Sequence, residues 1–184
     1  MTSSIPMPIS HEKTVIHIYL KNKSLVKDES YEKLAPEYAD KAKSNLITMN
    51  ILFDINTNEE ARKLLNVPEK YSSDEWIIVT AYYAMYSSAT ALLAKIGYKS
   101  TSHSATIVAL EHFFLKKELL DDKYLAMFKS ALLSKEEIDS ISEAKEKREI
   151  AQYRVTKEIT RKIAEATRKN AYDFVARVEF LLKA

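Results

Sequence analysis

The sequence predicts an all-α protein, an antiparallel up-and-down bundle of four or five main helices. Three observations lead there. From about Asp28 onward, apolar residues recur at helical spacing. Glycine occurs once in 184 residues, at Gly97, whereas strand-rich and phosphate-loop folds need several for their turns. Helix-start patterns, Ser or Thr with Glu three residues later, recur at Thr57–Glu60, Ser72–Glu75 and Ser134–Glu137.

Taken in order, residues 1–27 form an N-terminal extension, partly irregular, in which Val15 to Leu20 suggests a short strand or turn. Residues 28–184 form the helical bundle domain. Its first helix carries Pro36 in the opening turn and apolar residues at Ala39, Ala42, Leu46, Met49 and Phe53. A short helix follows from Thr57 and stops before Pro68. The segment from Ser72 to Gly97 has an almost wholly apolar or small interior, which suits the centre of a bundle, and Gly97 suits its end. Further helices are expected from Ser102, from Asp121 and from Ser134. A break at Val155-Thr156, with Thr156 as cap, precedes the last helix, which carries Ile159, Ile163, Phe174, Val178 and Leu181 on one side.

The composition excludes several functions. Basic and acidic residues number 28 and 26, so no global field draws the chain to nucleic acid and any such binding needs a local patch. There is no cysteine, which removes disulfides, thiolate metal sites and thiol catalysis and fits a cytoplasmic location. The N-terminus lacks a signal-peptide pattern, and no run reaches the ~18 apolar residues of a membrane span, so no membrane partner is expected. Phosphate-loop and dinucleotide fingerprints are absent, and four scattered histidines without ligand spacing imply no metal and no cofactor.

One charged residue stands out. With Arg148 at zero on a helical wheel, Ile141, Ala144, Ala151, Val155 and Ile159 fall within about 60° of it at roughly 100° per residue. A guanidinium on an apolar stripe is either a structural pin paired with a buried acid or a phosphate ligand. Around it, Lys145 to Lys169 holds nine basic residues, Arg154, Lys157 and Arg161 among them, against four acidic ones. Such an excess attracts RNA or nucleotide phosphate, or forms a solvated helix face. His103 lies among Thr101, Ser102 and Ser104 in the first turn of an expected helix, and is either a proton carrier or a helix-start residue held by local hydrogen bonds. In "YAMY" (Tyr82, Tyr83, Met85, Tyr86) the expected role is core and dimer surface, and Trp76 is expected to anchor its helix.

Three stretches then resemble one family. "AYYAMYSSATALLAKIGYKSTSHS" (Ala81 to Ser104), "KREIAQY" (Lys147 to Tyr153) and "NAYDFVARVEFLL" (Asn170 to Leu182) are similar to the second helix, the arginine motif and the final helix of HEPN domains. The likeness covers roughly residues 30–184 and is greatest to small stand-alone prokaryotic members, often paired with a nucleotidyltransferase. It implies a helical bundle that dimerises. In many members it implies a metal-independent endoribonuclease with Arg, four to six residues, then His, at a cleft between subunits. Arginine stabilises charge on the phosphate and histidine moves protons near neutral pH.

This chain departs from the motif. Five positions after Arg148 stands Tyr153, no histidine follows His112, and Val155 occupies the tyrosine position of a longer variant. Unperturbed tyrosine titrates near pH ~10 and is a poor base at pH 7. The expectation is a dimeric module that binds single-stranded RNA or nucleotide, a nucleotidyltransferase partner, or both, as in toxin–antitoxin systems. Arg148, Arg154, Lys157 and Arg161 would serve binding, and Tyr153 would bond phosphate, stack on a base or accept a nucleotide. The alternatives are an active endoribonuclease using Arg148 with Tyr153 or His103 as proton carrier, and a purely structural helical dimerisation domain.

Overall fold

The structure is a computed structural model that describes residues 9–145 and 153–184. The described residues contain seven α-helices, a 3-10 helix at Glu29–Leu34, a π turn at Glu111–Leu115 and one two-stranded antiparallel sheet. Helix α4 (Asp74–Ala94) runs through the centre and packs against α2 (Ala35–Thr57), α6 (Asp122–Lys145) and α7 (Tyr153–Lys183). Fifteen of its 21 residues are buried, so apolar and small side chains are needed around its whole circumference. By length and composition α4 could also cross a membrane, but 78% of that window is buried inside the protein.

Contacts fix the helix directions. Ala42 of α2 packs on Ala84 of α4, while the Ser73 hydroxyl just before α4 donates to the Leu52 carbonyl at 2.6 Å, so α2 and α4 are antiparallel. Ala84 also meets Val175 of α7, and the Lys95 ammonium donates to the Leu182 carbonyl at 2.8 Å, so α4 and α7 run parallel. Phe128 of α6 stacks on Phe174 of α7, and Arg177 Nη2 donates to the Leu119 carbonyl, so α6 runs against α7. The alternation is the expected up-and-down bundle.

The α2–α4 corner is closed by a buried polar network. The Asn56 carboxamide accepts from Ser73 N–H (2.9 Å) and donates to Asp74 Oδ1 (2.7 Å), and the Ser72 hydroxyl donates to Asp74 Oδ2 (2.6 Å). Ser73 and Asp74 are both buried.

Residues 9–27 depart from the expected strand or turn. Val15 to Leu20 lies inside helix α1 (Ile9–Lys21), and the strand comes later, as β1 (Leu25–Lys27). β1 pairs antiparallel with β2 (Tyr98–Ser100), Leu25 opposite Ser100. Ile16 and Leu25 enter the same core cluster as the α4 residues. Gly97 links α4 to β2 at φ +73°, a left-handed conformation that costs glycine little, and its carbonyl accepts from Asp28 N–H.

Other expected boundaries shift. Helix α3 (Glu59–Leu64) is capped by Asn58, whose side chain accepts from Glu60 and Ala61 N–H, while Thr57 ends α2. The N-cap of α4 is Ser73, without a side-chain cap bond. Helix α5 (His103–Leu110) starts where expected, with Ser102 accepting from Ala105 N–H, and continues into a π turn at Glu111–Leu115. The two helices expected from Asp121 and Ser134 are one, since α6 passes Ser134 without a break. Likewise α7 begins at Tyr153 and passes Val155-Thr156. Trp76 does not anchor its helix, being 59% exposed.

Candidate functional site

The site best defined by geometry lies where α4, α5 and α6 meet. Apolar spacing along α4 turns Tyr82 fully inward, with no exposed surface. The Ser102 cap starts α5 so that His103, its first residue, reaches back over α4. The Tyr82 hydroxyl and His103 Nδ1 form a hydrogen bond. The imidazole also meets the Tyr86 and Tyr82 rings edge-on, at centroid distances of 5.1 and 5.5 Å. Beneath it an aromatic ladder crosses the core: Tyr82 stacks on Phe128 (6.1 Å, planes within 1°) and Phe128 on Phe174 (5.6 Å).

Charges on α6 flank this cluster. Lys135 bonds to the Asp139 carboxylate, which holds the ammonium above its ordinary range. Burial lowers the pKa of His103, and the Lys135 charge lowers it further against an opposing pull from Glu136. Burial pushes the Tyr82 phenol well above its ordinary range, with help from Tyr86, Tyr83 and Glu136, so its hydroxyl keeps its proton at any physiological pH.

A pH dependence follows. The folded chain holds His103 with a lower proton affinity than the unfolded chain, whose histidine titrates near 6.5. The unfolded state therefore binds the proton first, and stability present above about pH 6.5 is lost as pH falls below it. Urea midpoints measured between pH 7.5 and 5 should fall more steeply in wild type than in His103→Asn.

The other residues singled out in the sequence are placed differently. Arg148 lies outside the described residues. Tyr153 opens α7, and Arg154 and Lys157 follow in its first two turns. Arg161 is exposed and pairs with Glu165 one turn on (3.4 Å), as Lys162 pairs with Glu158 (2.9 Å). Two cations of the basic stretch are thus neutralised on the helix surface. Tyr82 and Met85 are core as expected, and Tyr83 is exposed. Among the described residues no cluster of three or more His, Asp or Glu could hold a metal ion.

Sequence reasoning missed two features. One is the partnership of Tyr82 with His103, made across 21 positions and two helices. The other is Arg168, counted only as part of the basic run. Its guanidinium lies 4.1 Å from the Phe53 ring centroid and 5.4 Å from that of Tyr172, and Nη2 donates to Asn50 Oδ1 (3.2 Å). Among the described residues no carboxylate pairs with it, and its Nε is buried without a partner. The signal for it was Phe53 and Tyr172, aromatic residues that form a cation–π seam once α2 and α7 lie side by side.

Comparison with curated proteins and with solved structures gave no match. Residues 55–181, more than half of the chain, match the family model of the HEPN domain. That span includes α4, α5, α6 and all but the end of α7, together with the Tyr82–His103 pair. With its helical bundle built around α4, the chain belongs to the HEPN domain family, a class of nucleotide- and RNA-related modules.

Proposed function

We propose that this HEPN protein is a dimeric binding module for RNA or nucleotide, for a nucleotidyltransferase partner, or for both, acting through the basic stretch around Arg148. The observation that carries this reading is Tyr153, five positions after Arg148, where the resemblance to the family's arginine motif implies a histidine. A protonated phenol donates a hydrogen bond to phosphate or stacks on a base, but it accepts no proton from a ribose hydroxyl at pH 7. Arg148, in the same motif, would supply a planar fork for phosphate oxygens. A dimer is supported by exposed apolar side chains on α2, where Ile47 (60%) and Ile51 (55%) lie one turn apart.

Titration of a labelled single-stranded RNA into purified protein tests the reading. Binding should weaken with added salt and by about tenfold or more in Arg148→Ala, while light scattering reads the mass of a dimer. A chain that binds neither RNA, nor nucleotide, nor a nucleotidyltransferase encoded beside it would overturn the proposal.

His103 favours a second reading, a metal-independent endoribonuclease. Its half-buried imidazole is held neutral and is thus a candidate to replace the missing histidine. That reading requires RNA cleavage that survives EDTA and is lost in both Arg148→Ala and His103→Asn. RNA left intact by the wild-type protein removes it.

A further inference from the structure

The Tyr82 hydroxyl is enclosed in the core, and its one hydrogen-bond partner among the described residues is His103 Nδ1. A hydroxyl proton buried away from water must be donated somewhere, because an unmade buried hydrogen bond is costly. With a single partner, Tyr82 has to be the donor and Nδ1 the acceptor. A neutral imidazole whose Nδ1 lone pair is occupied carries its own proton on Nε2. Nε2 has no partner among the described residues, and it is not among the buried side-chain atoms left unbonded, so it opens to solvent.

We infer that Tyr82 is a positioning residue that locks His103 as the Nε2–H tautomer, so that His103 offers a hydrogen-bond donor, not a proton acceptor, to an oxygen ligand. On the reading of the chain as an RNA- or nucleotide-binding module, on which this last clause rests, the ligand is a phosphate oxygen.

The surroundings agree. Protonating His103 places a proton on Nδ1, which forces Tyr82 to become the acceptor and strands its own hydroxyl proton in the core. The titratable groups facing the imidazole are Tyr82 and Tyr86 from α4 and Lys135 and Glu136 from α6, with Tyr83 beside Tyr82 and Asp139 bonded to Lys135 behind them. Lys135 is bonded to Asp139, and among the described residues the imidazole is hydrogen-bonded to Tyr82 and to no carboxylate, Glu136 included. The ring is also fixed in orientation, gripped edge-on by the Tyr82 and Tyr86 rings. As a neutral donor it neither takes a proton from a ribose hydroxyl nor readily gives one up, so the tautomer favours the binding reading over the endoribonuclease one.

Nitrogen NMR of the full chain labelled at histidine reads the tautomer directly. At pH 7 the expected spectrum shows His103 with an unprotonated Nδ1 and a protonated Nε2, and Tyr82→Phe should convert this to a mixture of tautomers. A protonated Nδ1 in wild type, or a tautomer indifferent to Tyr82→Phe, overturns the inference. Should Tyr82→Phe fail to fold, the wild-type spectrum alone decides it. Added single-stranded RNA should shift Nε2–H more than Nδ1. RNA that binds without moving Nε2–H removes the phosphate clause and leaves the binding module standing. RNA that does not bind at all counts against the RNA arm of the proposed function and leaves the tautomer assignment intact.

Discussion

Phe128→Ala should lower the free energy of unfolding by about 3–5 kcal/mol, the range for emptying a large aromatic site in a core. Phe128 has no exposed surface and occupies the middle rung of the aromatic ladder, between Tyr82 on α4 and Phe174 on α7. It also stacks on Tyr86 at 6.4 Å. Removing it deletes three ring contacts at once and leaves a void that α4, α6 and α7 can close only by shifting together. Phe128→Leu keeps most of the volume and should cost clearly less. Chemical denaturation followed by circular dichroism gives both values. If the alanine variant lost under about 1 kcal/mol, the ladder would not be a close-packed core. The loss should also be felt at His103, because Tyr82 is braced on that ring from below.

Asn56→Leu should cost about 2–4 kcal/mol, although leucine is nearly isosteric and the site is half-buried. The carboxamide serves two buried groups that have little access to water, the Ser73 N–H and the Asp74 carboxylate. Leucine leaves the amide unpaired and takes a donor away from a charge. Asn56→Asp isolates the second effect, since it keeps an acceptor for the Ser73 amide but sets one carboxylate against another, and should be worse than leucine at pH 7. Thermal unfolding of the two variants at low and high salt separates these terms, because salt screens only the charge repulsion. An unchanged midpoint for Asn56→Leu would mean that water satisfies the corner.

The central helix was readable from sequence because burial on all sides leaves a local mark: an unbroken apolar and small-residue interior, closed by Gly97. The start of α5 at Ser102 was readable for a similar reason, since the polar residues that open a helix sit within four residues of it. Errors arose where a local pattern was outvoted by packing. The β-branched run at Val15 to Leu20 looks like a strand, yet the inward side chains are Ile16, Tyr19 and Leu20, a helical spacing. Ser134-x-x-Glu137 looks like a helix start, but the buried series Leu125, Phe128, Ala131 and Ile138 continues through it at one period, so the core holds α6 together. Sequence singled out His103 but could not find its partner, because nothing in a linear pattern announces that residue 82 of one helix meets residue 103 of another. Arg168 was hidden for the same reason, as its aromatic seat is shared between α2 and α7.

The recognisable family stretch begins at residue 55, two residues before α2 ends. Almost the whole of α2, with Ala42 and Met49 sealed against its neighbours, precedes it, as do Ile16 and Leu25. Kinship and cooperative folding therefore have different borders in this molecule. A polypeptide trimmed to its familiar part would bare one flank of α4, Ala84 included, and would behave as a wounded, self-adhesive fragment rather than as a minimal domain.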